Sequence, residues 1–201
     1  MDRDVESVVA GELLPNEALL WAGQPNPSKL FTKTDLFLVP MALAGITVGG
    51  WVVFHALSIV TQSMSFIFML FAVVFFPYAI YMAVGRFFAK EYVKKRTIYA
   101  VTDKRVMRLT LGTAGRKKKG MSADLMSIQD ASVSLGRDRC GTLYFGAVPF
   151  YNKLFLNTGI EYMPGYHIYD GLVFFDVDNA DQVFDIYRNA KASCQTAKEV
   201  L

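Results

Sequence analysis

Histidine and cysteine are scarce in this sequence. Among 201 residues there are two of each. The cysteines, Cys140 and Cys194, are far apart, and no Cys or His spacing matches that of a metal site. We therefore expect no metal and no cofactor.

Catalytic motifs are also missing. The sequence contains no glycine-rich phosphate loop ending in lysine, no His-Glu-x-x-His and no Ser-His-Asp set. Asp176, Asp178 and Asp181 lie close in sequence, but a strand that runs into a helix N-terminus accounts for them through the helix dipole. These absences predict that the protein is not an enzyme. A net charge of +3 is too small to indicate nucleic-acid binding.

Charge is absent from one long stretch. Residues 36–85 contain no Asp, Glu, Lys or Arg. A single membrane-spanning helix needs about 20 apolar residues, so this stretch suits two spans and a tight connection. The polar break at residues 58–65 supplies that connection. We therefore predict a transmembrane hairpin over 36–89, with helices at 36–60 and 64–89.

Positive charge flanks the hairpin on one side only. Lysines precede the first span, lysines and arginines follow the second, and the connecting turn carries no charge. By the positive-inside rule, both termini face the cytoplasm. The flanking residues are Lys29, Lys33, Arg86, Lys90, Lys94, Lys95 and Arg96.

The N-terminal segment, 1–35, permits two interpretations. Several leucines and Trp21 lie among polar residues, which suits an amphipathic piece with Trp21 at headgroup level. The alternative is that these residues pack on the cytoplasmic domain. Gly45 and Gly49, four apart in the first span, favour close approach of the second helix.

The sequence pattern of residues 90–201 predicts one cytoplasmic α+β domain. Short alternating segments predict antiparallel strands at 97–102, 105–111, 127–135, 142–146 and 171–177. Asn179 and Gln182 have the spacing of a capping box, and apolar residues follow at helical spacing. They predict a C-terminal helix with one buried stripe formed by Val183, Ile186, Tyr187, Ala190 and Cys194. Between the last two strands, Ala147–Asp170 is long for a loop, so we expect part of it to pair as a strand.

Two motifs carry a family resemblance. Leu14-Pro15-Asn16-Glu17 continues to Leu20-Trp21-Ala22-Gly23-Gln24-Pro25 ahead of the spans, and Tyr99-Ala100-Val101-Thr102-Asp103-Lys104-Arg105 follows them. With Gly141–Gly146, they resemble the bacterial membrane-anchored PH-domain (pleckstrin-homology-like) family. The resemblance implies an α+β membrane protein of the bacterial inner membrane, in which the hairpin is followed by a PH-like antiparallel β-barrel closed by the C-terminal helix. Ala147–Asp170 is longer and more aromatic than the family pattern.

Two binding hypotheses follow, since PH-like domains bind either proteins or phosphoinositides. We favour a non-enzymatic scaffold or assembly subunit that docks on an integral membrane protein complex through aromatic side chains and the aromatic second span. The aromatic residues are Phe150, Tyr151, Phe155, Tyr162 and Tyr166. The alternative is that a basic surface binds anionic phospholipid headgroups. Its residues are Lys94, Lys95, Arg96, Arg116, Lys117, Lys118 and Lys119.

Overall fold

The computed structural model describes residues 2–59, 62–112, 119–136, 138–163 and 171–199. The chain is α+β and divides into two compact units. We call them the sheet unit, Met1–Lys29, Glu91–Lys153 and Tyr169–Leu201, and the helical unit, Leu30–Lys90 and Leu154–Ile168. The predicted N-terminal segment thus contributes its first 29 residues to the sheet unit.

The sheet unit contains a four-stranded antiparallel sheet. Its strands, in spatial order, are β1 (Leu19–Gly23), β2 (Thr97–Thr102), β3 (Arg105–Thr110) and β4 (Lys119–Asp124). The hairpin predicted from the alternating residues 97–111 is confirmed as β2 and β3. The sequence analysis did not predict β4, and it treated Lys119 as part of a loop. Because β1 pairs with β2, the interpretation of Trp21 as a residue packed on the domain is confirmed.

A three-stranded antiparallel sheet completes the strands that the structure describes. It comprises β5 (Ala131–Leu135), β6 (Gly141–Phe145) and β7 (Leu172–Val177). β5 begins four residues later than predicted, because a turn stands after Asp124. These strands form two separate sheets, and no closed barrel is found among the described residues.

One hydrophobic core joins the two sheets. Tyr99 and Val101 from the first sheet meet Leu143 and Phe174 from the second, and all are buried. The C-terminal helix α6 (Ala180–Glu199) packs onto this core and contacts strands of both sheets. Its predicted stripe is confirmed, with Val183, Tyr187 and Ala190 buried and Ile186 and Cys194 partly buried. On the opposite face of the first sheet, α1 (Asp2–Ala10) covers a second apolar cluster.

The helical unit is built on two antiparallel apolar helices, α2 (Asp35–Ile59) and α3 (Gln62–Ile80). Both are long and apolar enough to cross a membrane. One π-helical turn, Tyr81–Gly85, joins α3 to α4 (Arg86–Lys94), and the Arg86 N–H donates to the Tyr81 carbonyl. The helices extend into the predicted connection, 58–65, because α2 ends at Ile59 and α3 begins at Gln62; residues 60 and 61 lie outside the described residues.

The close approach predicted at the glycines of the first span is present at Gly49. A Cβ there would lie 2.5 Å from Cε1 of Phe75 in α3, whereas one at Gly45 would make an ordinary contact of 3.8 Å with the same ring. Glycine at position 49 therefore lets the Phe75 ring pack against the α2 backbone.

The segment between β6 and β7, which was predicted to pair in part as a strand, is described up to residue 163, and residues 164–170 lie outside the described residues. Residues 147–163 contain no strand; they contain α5 (Phe150–Phe155) and a 3₁₀ turn, Ile160–Tyr162. The strand prediction rested on length and ignored spacing. Phe150 and Leu154, like Tyr151 and Phe155, are four residues apart, which favours a helix.

Candidate functional site

The two sequence motifs meet in the sheet unit. Arg105 donates from Nε and Nη2 to the Glu17 carboxylate at 2.8 and 3.1 Å. Thr102, which is fully buried, donates its hydroxyl to the same carboxylate at 2.7 Å. The Leu14 N–H makes a further bond of 2.7 Å. Glu17 is only 8% exposed, so this network ties the N-terminal motif to the turn between β2 and β3.

The other polar residues of the hairpin motif have structural partners too. Asp103 accepts the Ala18 N–H at 2.9 Å, and the Tyr99 hydroxyl accepts the Phe175 N–H at 3.0 Å. Tyr99 also stacks on Phe174 in the core. The motif residues therefore hold β1 and β7 in place, and these bonds explain why a Thr-Asp-x-Arg turn suits this fold.

The local electrostatics of Glu17 favour its ionised form. Burial by itself raises the pKa of this carboxyl, but the hydrogen bonds from Arg105, the Leu14 N–H and Thr102, with the nearby guanidinium charge, lower it below its usual 4.5. The network is therefore fully formed at neutral pH.

The helical unit contains a buried ion pair that the sequence analysis missed. Arg86 at the start of α4 is 0% exposed and pairs through Nη1 with Asp35 at the start of α2, which is 1% exposed. Nη1 also donates to the Thr158 carbonyl at 3.0 Å, and Nε donates to the Met82 carbonyl at 2.7 Å. One sequence signal points to this pair: Asp35 and Arg86 directly bracket the uncharged stretch, and an antiparallel hairpin brings its two ends together.

Residues 154–163 fold against the same end of the helical unit. The Tyr81 hydroxyl donates to the Gly159 carbonyl at 2.9 Å, and the Thr34 hydroxyl donates to the Leu154 carbonyl at 2.8 Å. Gly159 has a φ of +89°, and a Cβ there would lie 2.5 Å from the Arg86 carbonyl oxygen. Only glycine fits this conformation and this contact without strain. We call residues 154–163 the strap.

Two further ionisable groups belong to this region. Lys90 is buried and donates to the Leu30 carbonyl at 2.7 Å. Glu161 is half-buried and accepts the Gly159 N–H at 2.9 Å, and burial raises the pKa of this carboxyl despite backbone hydrogen bonds and the Lys90 charge. Asp35, Arg86 and Lys90 are therefore the fully buried ionisable groups described at this end of the helical unit.

The residues predicted to bind a protein partner differ in exposure. In the sheet unit, Phe150 and Tyr151 are 78% and 63% exposed. In the helical unit, Phe155 is half-buried and packs on the cluster that contains Leu38 and Met82, and Tyr162 is half-buried. Tyr166 lies outside the described residues.

The basic residues predicted to bind lipid also differ in exposure. Lys94 is buried; its ammonium donates to the carbonyls of Asn26 and Lys29 and to the carboxylate of Asp176, so it is used inside the sheet unit. Lys95 is exposed and pairs with Glu91 at 2.5 Å, while Arg96 stacks on Tyr92 at 4.2 Å. Arg116, Lys117 and Lys118 lie outside the described residues, as does the side chain of Lys119, whose backbone begins β4.

Comparison with known proteins does not identify a family for this chain. No protein-family model, curated protein or solved structure matches the chain. Within the residues that the structure describes, no group of three or more His, Cys, Asp and Glu side chains is placed to hold a metal ion. Both cysteines are free thiols. The candidate sites are therefore judged on the geometry alone.

Proposed function

We propose that this protein is a membrane-anchored, non-enzymatic interaction module with a PH-like domain. The support for the fold is the four-stranded and three-stranded antiparallel sheets that share one core, with α6 packed on it. The Glu17–Thr102–Arg105 network and Asp103 engage the polar groups of both motifs in structural bonds. Because these polar groups are bonded within the fold, a structural role for the motifs is favoured over a catalytic role.

The anchoring proposal rests on the exposure of the apolar helices. Residues 35–55 and 70–94 are the stretches that suit a membrane, and only 11% and 22% of them are buried. The core helix of a soluble protein would be mostly buried. We propose that the bilayer covers these surfaces, that the chain is multi-pass in a bacterial inner membrane, and that both termini face the cytoplasm.

The exposed pair Phe150 and Tyr151 carries the interaction proposal. Large aromatic side chains this exposed contribute little to the domain's own core, and aromatics are enriched where protein interfaces are buried. We propose that this pair contacts an integral membrane protein complex. Phe155 and Tyr162 then act indirectly, since they pack within the helical unit.

A photo-crosslinker at position 151 of the full chain in its native membrane tests this proposal. A discrete crosslinked product containing another integral membrane protein is expected, and its yield should fall at least tenfold when Phe150 is changed to Ser. The matched control is Leu135→Ser, an exposed apolar position on β5, which should leave the yield unchanged. Crosslinks to lipid alone, or equal yields from both variants, would refute it. Deleting the segment is a poor test, because it also removes buried Leu156 and Ile160.

One observation favours anionic-lipid binding as a second function. The Leu111 N–H donates to the Arg96 carbonyl at 2.8 Å, and Thr110 pairs with both Thr97 and Lys119. Lys95, Arg96 and the described residues Gly112 and Lys119 therefore lie at one end of the first sheet. Each basic residue near an anionic surface contributes on the order of 1 kcal/mol.

Native mass spectrometry of the detergent-solubilised full chain with added phosphatidylglycerol tests the lipid function. Changing Lys95, Arg96 and Arg116–Lys119 to Ser should reduce the retained lipid several-fold. A smaller variant, Lys95→Ser with Arg96→Ser, is compared with the charge-matched Lys104→Ser with Arg188→Ser. Equal retention by this pair, together with full retention by the larger variant, would exclude the basic surface.

A further inference from the structure

Three charged residues at one end of the helical unit are buried, while large apolar residues beside them are exposed. Between residues 34 and 90 the only Asp, Glu, Lys or Arg residues are Asp35, Arg86 and Lys90, and all three are buried. Their sequence neighbours point outward: Leu36 and Phe37 beside Asp35, and Phe88 between Arg86 and Lys90. The sequence alone would place the membrane boundary at these charges. The side-chain orientations argue otherwise.

The outward apolar surface extends beyond the ion pair on both sides. Phe31 precedes α2 and is 76% exposed, and its ring packs on Phe87 at 4.7 Å between centroids. Phe88 is 68% exposed. Leu154 of the strap is also exposed, and its carbonyl is held by Thr34 next to α2. Exposed apolar side chains from three separate segments thus surround a buried ion pair.

Burial of these charges suits a lipid environment better than water. In water, a buried ion pair rarely gains more from Coulomb attraction than it loses by desolvation. In a bilayer, charged groups must face the protein interior and find partners there. The strap provides that interior, because its Thr158 carbonyl binds Arg86 and its Gly159 lies against the Arg86 backbone.

We infer that the apolar layer of the bilayer extends past Asp35 and Arg86 to the level of Phe31 and Phe88, and that the strap seals the ion pair from lipid. The collar formed by Phe31, Leu36, Phe37, Phe88 and Leu154 is then a lipid-contacting surface. Phe and Leu side chains favour the apolar layer of a bilayer. The inference rests on the proposed membrane anchoring and adds where the boundary lies. The exposed Lys33 lies between Phe31 and Asp35, and its long side chain lets the ammonium reach the headgroup level.

Spin-label accessibility in the full chain tests the inference. Single cysteines replace Phe88, Leu154, Arg188 and Val73 in a Cys140→Ala/Cys194→Ala background, reconstituted in vesicles of phosphatidylcholine and phosphatidylglycerol. Arg188 is an exposed position on α6 and serves as the aqueous reference. Val73 is an exposed position within α3 and serves as the lipid reference. Collision rates are measured with oxygen, which concentrates in lipid, and with a nickel chelate, which stays in water.

Labels at Phe88 and Leu154 should give oxygen-to-nickel ratios close to that of Val73 and several-fold above that of Arg188. Ratios equal to that of Arg188, with Val73 in lipid, would overturn the inference and leave membrane anchoring intact. A water-like ratio at Val73 would overturn both. Shielding of Phe88 from both reagents would also overturn it, because a protein surface would then cover the collar.

Discussion

Removing the charge of Glu17 should weaken the bonds that tie the N-terminal motif to the turn between β2 and β3. The change is Glu17→Gln, which keeps the shape of the side chain. Of the two bonds from Arg105, one is kept at the amide oxygen without its negative charge and the other is lost, at about 1 kcal/mol each. The new amide also turns N–H groups toward donors at Arg105 or Leu14. We expect a total loss of about 2–4 kcal/mol in the free energy of unfolding, since Glu17 is buried and water cannot replace these bonds.

Trp21 makes this loss measurable. It lies in β1, four residues after Glu17, and its ring is 6.4 Å from that of Phe174. The only other tryptophan is Trp51 in α2, so a Trp51→Phe background leaves Trp21 as the single reporter. Urea unfolding of the full chain in detergent, followed by Trp21 emission, should show a lower midpoint for Glu17→Gln. Glu6→Gln, at an exposed position in α1, is the matched control and should shift stability by less than about 0.5 kcal/mol.

The pH dependence gives a second, independent readout. The folded pKa of Glu17 lies below the unfolded value of 4.5, so the unfolded chain binds more protons at mildly acidic pH. The stabilisation is therefore complete above about pH 4.5 and is lost as the pH falls through the folded pKa. The difference between wild type and Glu17→Gln should shrink below pH 4.5. A constant difference from pH 7 to 3.5, or equal midpoints for the two Gln variants, would refute the reasoning.

Three further predictions concern packing and thiol chemistry. Gly49→Ala should clash with Phe75 and lower the free energy of unfolding, measured by helix loss in SDS titrations, by about 1–3 kcal/mol. Gly45→Ala should not, and equal losses for the two variants would contradict the packing. Gly159→Ala should strain a backbone at φ +89° and displace the Arg86 carbonyl, so chymotrypsin should cleave the strap faster than in wild type. Burial raises the pKa of Cys140 to about 11, so its thiol should resist iodoacetamide at pH 7.5 until the chain is denatured. Labelling of Cys140 in the native protein, detected by mass spectrometry, would contradict this prediction.

Local patterns were sufficient wherever neighbours in sequence decide the structure. The alternation in residues 97–111 predicted β2 and β3, and the apolar spacing after Asn179 predicted α6. β4 was missed because Lys119, Gly120 and Ser122 have weak strand propensity and depend on pairing with β3. The helix at 150–155 was missed because loop length was weighed above the four-residue spacing of its aromatic side chains.

The candidate sites depended on long-range contacts even more strongly. The sequence contained both motifs, yet it could not show that Glu17 meets Arg105 across 88 positions. Nor could it show that Lys94 is buried against Asp176 while the adjacent Lys95 is exposed, because both are lysines in the same charge run. Phe150 and Phe155 likewise differ in exposure only through what packs beside them.

The sequence by itself determined that two stretches are long and apolar enough to span a bilayer, because that property depends on composition and length alone. It also determined which segments have strand or helix periodicity. Only the tertiary structure decided which charges face inward, because burial depends on contacts between distant segments. Asp35, Arg86 and Thr158 are far apart in the chain, and their meeting turns the apparent charged boundary of the hairpin into an interior ion pair.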